Sequence, residues 1–266
     1  MSSDIKPSET PLADAPASLT VANVAHREQR LEAMKELVGH LAHSFNNSLA
    51  PLSGYVTLLG EEIKSGSPGE QYLKKFDSSI RRTQSLIESL VQATHPEKNF
   101  VPKEIDLARA LERAVDTWRK NLPPNRKIVV TLAATSCSLF SDEAQWGKVF
   151  QQLLSNADQA MPRGGQLSIS LSSRQPTAEE AAAFGLAQTN HWRLVFQDTG
   201  CGMAAEVLER ACDPLFTTRP STPATGLGLT LIHNVVRLHG GRLTIQSVPD
   251  EGTAVTIFLP GLDTGR

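Results

Sequence analysis

Between Arg27 and Lys64 the apolar residues recur as Leu31, Met34, Val38, Leu41, Phe45, Leu49, Leu52, Val56 and Leu59. Every step is three or four residues, which predicts one amphipathic helix. The run SGSPG, Ser65 to Gly69, breaks it. A second helical run follows through Tyr72 or Leu73, Phe76, Ile80, Thr83, Ile87 and Leu90, and closes near His95-Pro96. Two long helices joined by a short turn predict an antiparallel hairpin over residues 27–96. Such a hairpin cannot enclose its own apolar stripe, so pairing with a second copy into a dimeric four-helix bundle is expected.

After PEKNFVP, Pro96 to Pro102, the texture changes. The pattern predicts a helix at Leu107–Lys120, a strand at Lys127–Ala133 and a helix at Asp142–Met161. Strands at Gln166–Ser172 and Trp192–Gln197 flank the insertion-like segment PTAEEAAAFGLAQTN. A helix at Leu229–Leu238 and strands at Arg242–Ser247 and Ala254–Leu259 complete the chain. Mixed helices and strands of this kind define an α+β sandwich over residues 101–262. Residues 1–26, rich in Ser, Pro and Ala, read as a flexible tail.

Composition narrows the function. The 26 Lys and Arg nearly balance the 28 Asp and Glu of the 266 residues, a net charge of −2 that argues against a nucleic-acid binder. Hydrophobic residues at 40% make a folded core feasible. Cys137, Cys201 and Cys212 form no CxxC pair and favour a reducing, cytoplasmic compartment. No apolar run approaches the roughly 18–20 residues of a membrane span.

Four segments of the second domain carry candidate chemistry. QQLLSNADQAM places Asn156 inside a helix, where its amide oxygen can serve as a hard ligand for Mg²⁺. DTGCGM follows an apolar strand. Gly200 and Gly202 permit tight turning, and Asp198 can accept a hydrogen bond from an exocyclic amine such as adenine offers. DPLFTTRP sets Phe216 in a polar, proline-bounded loop, as an anchor on the core or on a mobile lid. In ATGLGLTLIHNVVRLHGG, Gly226 and Gly228 precede a helix whose free N–H groups can face phosphate. Each segment alone also reads as ordinary turn, helix or core; the four in this order are much more specific.

In that order they resemble the asparagine, first glycine, phenylalanine and second glycine boxes of the GHKL ATP-binding fold. The resemblance implies Mg-ATP under a lid at about Ala204–Thr225. The nucleotide would be held by Asn156, Asp198, Gly200, Gly202, Phe216, Thr218, Gly226, Leu227, Gly228 and Leu229, with Asn156 on the metal. The hairpin segment LVGHLAHSFNNSLAPLSGY resembles the phosphoacceptor motif of two-component histidine kinases of the nitrogen-regulator type. His43 matches the phosphorylated histidine, in preference to His40. It lies about 200° around the helix from Leu41, which points it to solvent.

The family implies autophosphorylation of His43 from ATP and transfer to an aspartate on the receiver domain of a separate response regulator. Asn47, one turn on, matches a polar position that implies a dephosphorylating activity as well; as a plain helix residue it is polar surface. Four departures stand out. Ser44 replaces the usual acidic residue, so autophosphorylation is expected to be slow or to draw a base from elsewhere. Gln152 replaces an asparagine, Ala224 replaces a glycine, and Pro51 predicts a displaced bend. These keep open a non-catalytic dimeric phosphotransfer scaffold. Another GHKL ATPase is the remaining alternative. The residues before Arg27 are expected to be too few for a sensor, so input is expected from a partner protein or a sensory region outside this sequence.

Overall fold

The structure, a computed structural model, describes residues 21–120, 122–133, 137–219 and 225–261, apart from the side chains of 21–31, 99 and 183. The tail up to residue 20 and Ala224 in the lid lie outside the described residues. Helix α1, Val21–Glu62, begins ahead of Arg27, so residues 21–26 are helix rather than tail. It continues as one element through Pro51. Ser67 then caps α2, Pro68–Thr94, by accepting the Glu70 N–H, with Pro68 in the first turn where its missing donor is harmless. Contacts pairing Gly60 with Leu73, Ser53 with Gln84 and Lys35 with His95 run the helices antiparallel.

The apolar band is wider than one neighbouring helix can cover. Val38, Ala42 and Val56 of α1 are buried, with Ile80, Ile87 and Ala93 of α2. Leu41, Phe45, Leu52 and Leu59 from the expected stripe remain exposed, beside Leu37, Tyr55, Leu58, Tyr72, Phe76 and Leu86.

A 3₁₀ turn, Pro96–Asn99, leads into β1, Lys103–Asp106. Helix α3, Leu107–Arg119, is capped by Asp106, whose carboxylate accepts the Ala108 and Arg109 N–H groups. Then come β2, Arg126–Leu132; β3, Ser138–Ser141; α4, Glu143–Ala160; and β4, Gly165–Arg174. Helix α5, Ala178–Phe184, is followed by β5, His191–Asp198; α6, Ala205–Arg210; α7, Gly228–Leu238; β6, Arg242–Val248; and β7, Gly252–Pro260. Five strands form a mixed sheet in the order β2-β4-β5-β7-β6, with only β2–β4 parallel. Strands β1 and β3 pair separately.

Alternation puts Leu167, Ile169 and Leu171 of β4, Leu194 and Phe196 of β5, and Ile257 and Leu259 of β7 on one face. They share a core with Leu111 of α3, Phe150 and Leu154 of α4, and Ile232 and Val235 of α7. The insertion-like segment holds α5 through a capping box between Thr177 and Glu180, reinforced by two Arg174–Glu180 hydrogen bonds.

The base of the hairpin is fastened to this sandwich. The buried Asn234 of α7 donates from Nδ2 to the Ala93 carbonyl at 2.8 Å, at the end of α2. From α4, Gln145 donates to the Pro96 carbonyl and Lys148 to Gln92 Oε1, each at 2.7 Å. Asp142 accepts the Val101 N–H at 3.1 Å. His239, just past α7, meets the Phe100 ring edge-on. A relay fixes its tautomer. Trp146 donates to Ser141 Oγ, the Ser141 hydroxyl faces His239 Nε2, and His239 Nδ1 donates to the Val235 carbonyl. Burial pushes the His239 imidazole below its ordinary range.

Candidate active site

A cavity opens between α4, the loop after β5, the segment before α7 and the first turn of α7. Its walls are built from the four sequence segments in turn. Gln152 and Asn156 sit one helical turn apart on α4 and both face it. Asp198 ends β5, only 8% exposed. Its Oδ1 accepts the Gly200 N–H at 2.8 Å, and Thr253 supplies another backbone donor. Burial pushes this carboxyl above the usual range, and the backbone hydrogen bonds oppose the shift. Gly202, at φ +61°, turns the chain so closely against β6 that a Cβ there would lie 1.9 Å from the Val248 carbonyl oxygen.

Asp213 and Arg210 lie 3.7 Å apart, and the Arg210 guanidinium stacks 4.3 Å from the centre of the Phe216 ring. Gly226, at φ +67°, backs onto this turn: a Cβ would stand 2.6 Å from the Leu215 carbonyl carbon. Helix α7 begins beside it. Its N-cap, Leu227, offers no side-chain hydrogen bond, and its first turn holds no acidic residue. The first amides of α7 thus have no N-cap side chain among the described residues where Gly228 and Leu229 line the cavity, a natural seat for an anion.

Of the residues expected to hold nucleotide, Asn156, Asp198, Gly202, Phe216, Thr218, Gly226, Gly228 and Leu229 line the cavity. Gly200 and Leu227 do not. Gly200 is packed against the Ala160 carbonyl, and Leu227 is buried under the start of α7. Their part is to shape the walls. The sequence reading missed Gln159 and Arg219, which also line the cavity; Arg219 donates to Gln159 Oε1 at 3.0 Å. A basic residue inside DPLFTTRP was the available signal. Gln152, noted there only as a departure, points its Oε1 to within 2.6 Å of where a Gly228 Cβ would stand.

His43, Ser44 and Asn47 are exposed on α1, and none of them lines the cavity. The Asn47 amide contacts His43 Nδ1 at 3.2 Å.

Comparison with known proteins agrees with this layout. Residues 33–98 match the His Kinase A (phospho-acceptor) domain, HisKA. Residues 141–262 match HATPase_c, the histidine kinase-, DNA gyrase B- and HSP90-like ATPase family. Phospho-acceptor and ATPase matches in this order are similar to a two-component sensor histidine kinase core. It is 28% identical to the sensor kinase CckA of Brucella abortus over 243 residues, 90% of this chain and 25% of that protein. It is 26% identical to the sensor histidine kinase ZraS of Escherichia coli over 236 residues, 88% of this chain and 47% of that protein. The chain thus spans a quarter to about half the length of these curated relatives. In fold it resembles full-length ShkA in complex with AMPPNP, with a TM-score of 0.59 and 18% identity over 85% of this chain and 46% of that one. It also resembles the histidine kinase ThkA in complex with the response regulator protein TrrA, with a TM-score of 0.54 and 16% identity over 90% of this chain and 65% of that one.

Proposed function

We propose that this chain is an ATP-dependent protein-histidine kinase that phosphorylates His43 and passes the phosphoryl group to an aspartate of a separate response regulator. The observation that carries the reading is the cavity, with an uncapped helix start at one wall and the buried carboxylate of Asp198 at another. A nucleotide fits both ends: phosphate oxygens accept from the first amides of α7, and Asp198 accepts from the adenine amine. Arg219 and Gln159 reach the same cavity from the lid and α4.

Asn156 would hold Mg²⁺ through its amide oxygen, and the ion would neutralise phosphate charge. The described residues contain no cluster of three acidic, His or Cys side chains that could bind a metal alone, so the phosphates themselves would complete its shell. His43 then attacks the γ-phosphorus in line. Positioning and electrostatic stabilisation supply most of the rate.

Residues 27–96 serve as the dimerisation and phosphotransfer hairpin, and 101–262 as the catalytic domain. The exposed apolar band of the hairpin supports a homodimer. Asn47, beside His43, supports dephosphorylation of the regulator by the same chain. No described helix is long and apolar enough to cross a membrane, and none of the three cysteines forms a disulfide, which supports a cytoplasmic site of action.

Incubation with γ-labelled ATP tests this reading. Acid-labile, base-stable label on the wild type and none on His43→Gln is the expected result. Label that survives the substitution removes His43 from its role. ATP binding with no label at all favours a non-catalytic scaffold.

A further inference from the structure

Helix α6 ends at Arg210, and the chain then reverses twice before Phe216. The Asp213 N–H donates to the Arg210 carbonyl at 2.8 Å, and the Phe216 N–H donates to the Asp213 carbonyl at 3.2 Å. The second reversal, Asp213-Pro214-Leu215-Phe216, follows the plan of a type II turn, with proline in the second place and a positive φ in the third. That third place ordinarily takes glycine. Here it is Leu215, at φ +64° and exposed. A Cβ makes this conformation costly, so the turn persists because its surroundings hold it.

Three neighbours hold it. The ring of Pro214 presets φ for the second place. Gly226 packs behind the turn, against the Leu215 carbonyl carbon and the Phe216 carbonyl oxygen, where a Cβ would not fit. The third neighbour is Arg210. Its guanidinium stands 4.3 Å from the centre of the Phe216 ring, well inside the roughly 6 Å range of a cation–π contact. Asp213, only 7% exposed, brings a carboxylate oxygen to 3.7 Å from Arg210 Nε, which aims the guanidinium. Arg210, Asp213 and Phe216 thus form one clasp. Phe216 lines the cavity, whereas Arg210 and Asp213 do not.

We propose that Arg210 is a positioning residue for nucleotide binding: stacked on Phe216, it holds that ring in the cavity wall before the nucleotide arrives. This rests on the cavity taking ATP. Without the stack, a strained turn would be relaxed part of the time, with the ring away from the wall. Apparent affinity falls in proportion to the fraction of molecules whose site is complete. Arg210 raises that fraction from outside the cavity. A direct attraction between its charge and the phosphates would also weaken binding when removed, so the test has to separate the two routes.

The test is calorimetric titration of the full chain with a non-hydrolysable ATP analogue and Mg²⁺. It compares the wild type, Arg210→Gln, Arg210→Lys, Phe216→Leu and the Arg210→Gln, Phe216→Leu pair. Arg210→Gln is expected to bind roughly two- to fivefold more weakly, the worth of a partly exposed cation–π contact. Arg210→Lys keeps the cation and is expected to recover part of that loss. Autophosphorylation at saturating ATP is expected to hold, so KM rises while kcat does not change. In the Phe216→Leu background, Arg210→Gln is expected to weaken binding no further. Wild-type affinity in Arg210→Gln overturns the proposal. The same loss in both backgrounds also overturns it, since the charge would then act without the ring. So does Arg210→Lys binding no tighter than Arg210→Gln. Arg210 is largely exposed, and a cooperative melt of each nucleotide-free variant checks that it is folded. Failure of the nucleotide reading itself would appear separately, as a wild type that binds no analogue.

Discussion

Replacing Asp198 by Asn removes a buried negative charge at almost constant volume, and the structure assigns opposite signs to its two consequences. The carboxyl is 8% exposed, and burial is the largest influence on it, raising its pKa against the pull of backbone donors that include Gly200 and Thr253. A raised pKa means the folded state holds the proton more tightly than the unfolded chain does. Stability is then fully present below the ordinary carboxylate value of about 3.9 and is lost as pH rises through the folded value. Above that folded value the ionised carboxylate is a net burden on the fold without ligand. Asp198→Asn should therefore be at least as stable as the wild type at pH 7 when nucleotide-free, with a flatter pH dependence on the acid side. Nucleotide affinity should move the other way. A hydrogen bond to a charged acceptor contributes about 1.5–3 kcal/mol, so the variant should bind roughly 10- to 150-fold more weakly. Calorimetric titration with a non-hydrolysable ATP analogue gives the affinity, and thermal melts with and without it give the stability. Affinity within about twofold of the wild type would refute the adenine contact. A marked fall in the Tm of the nucleotide-free variant would refute the burial argument.

Gly202→Ala should destabilise by at least about 1–2 kcal/mol in urea, because residue 202 holds φ +61° and its new Cβ would meet the Val248 carbonyl. An unchanged midpoint would contradict that close approach. His239 is held neutral by burial, so the unfolded state binds more protons; stability is present above about pH 6.5 and falls as pH drops below it. His239→Phe should flatten that slope, and a wild-type slope in the variant would exclude His239 as its source. Thiol titration of the native chain should find one fast cysteine, Cys201, which is exposed and lines the cavity, and ATP should slow it. Cys137 and Cys212 are buried, and the Cys137 thiol is pushed up to about 12, so both should react only on unfolding. Rapid modification of two or more native thiols would contradict this.

The long elements were legible because their periodicity is sustained. Leu167, Ile169 and Leu171 announce a half-buried strand, and α4 and α7 show helical spacing between Asp142 and Met161 and between Leu229 and Leu238. Strands β1 and β3 were missed because KEID and SLFS, four residues each, carry too little pattern. Helix α6 was missed because AEVLER is short and its N-cap, Ala204, gives no capping signal. Helix α5 could have been found, since Thr177-Ala-Glu-Glu180 spells a capping box. On α1, spacing located an apolar face but not which part a single partner helix covers; Val38 is buried while Leu41 is half exposed. At the site, motif residues were legible as a set. The difference between Asp198, which faces the cavity, and Gly200, which braces it, depends on a loop path that spacing does not encode.

Helix α7 joins two surfaces that the sequence keeps far apart. Its first amides border the cavity, and six residues later, about 9 Å along the axis, Asn234 grips the end of α2. A rigid rod pinned at both ends turns a local event into a shared one. If nucleotide at the near end changes the free energy of any displacement of α2, then a force that displaces α2 must change nucleotide affinity by the same factor. The exchange needs no moving part beyond the rod, and it runs equally well in either direction.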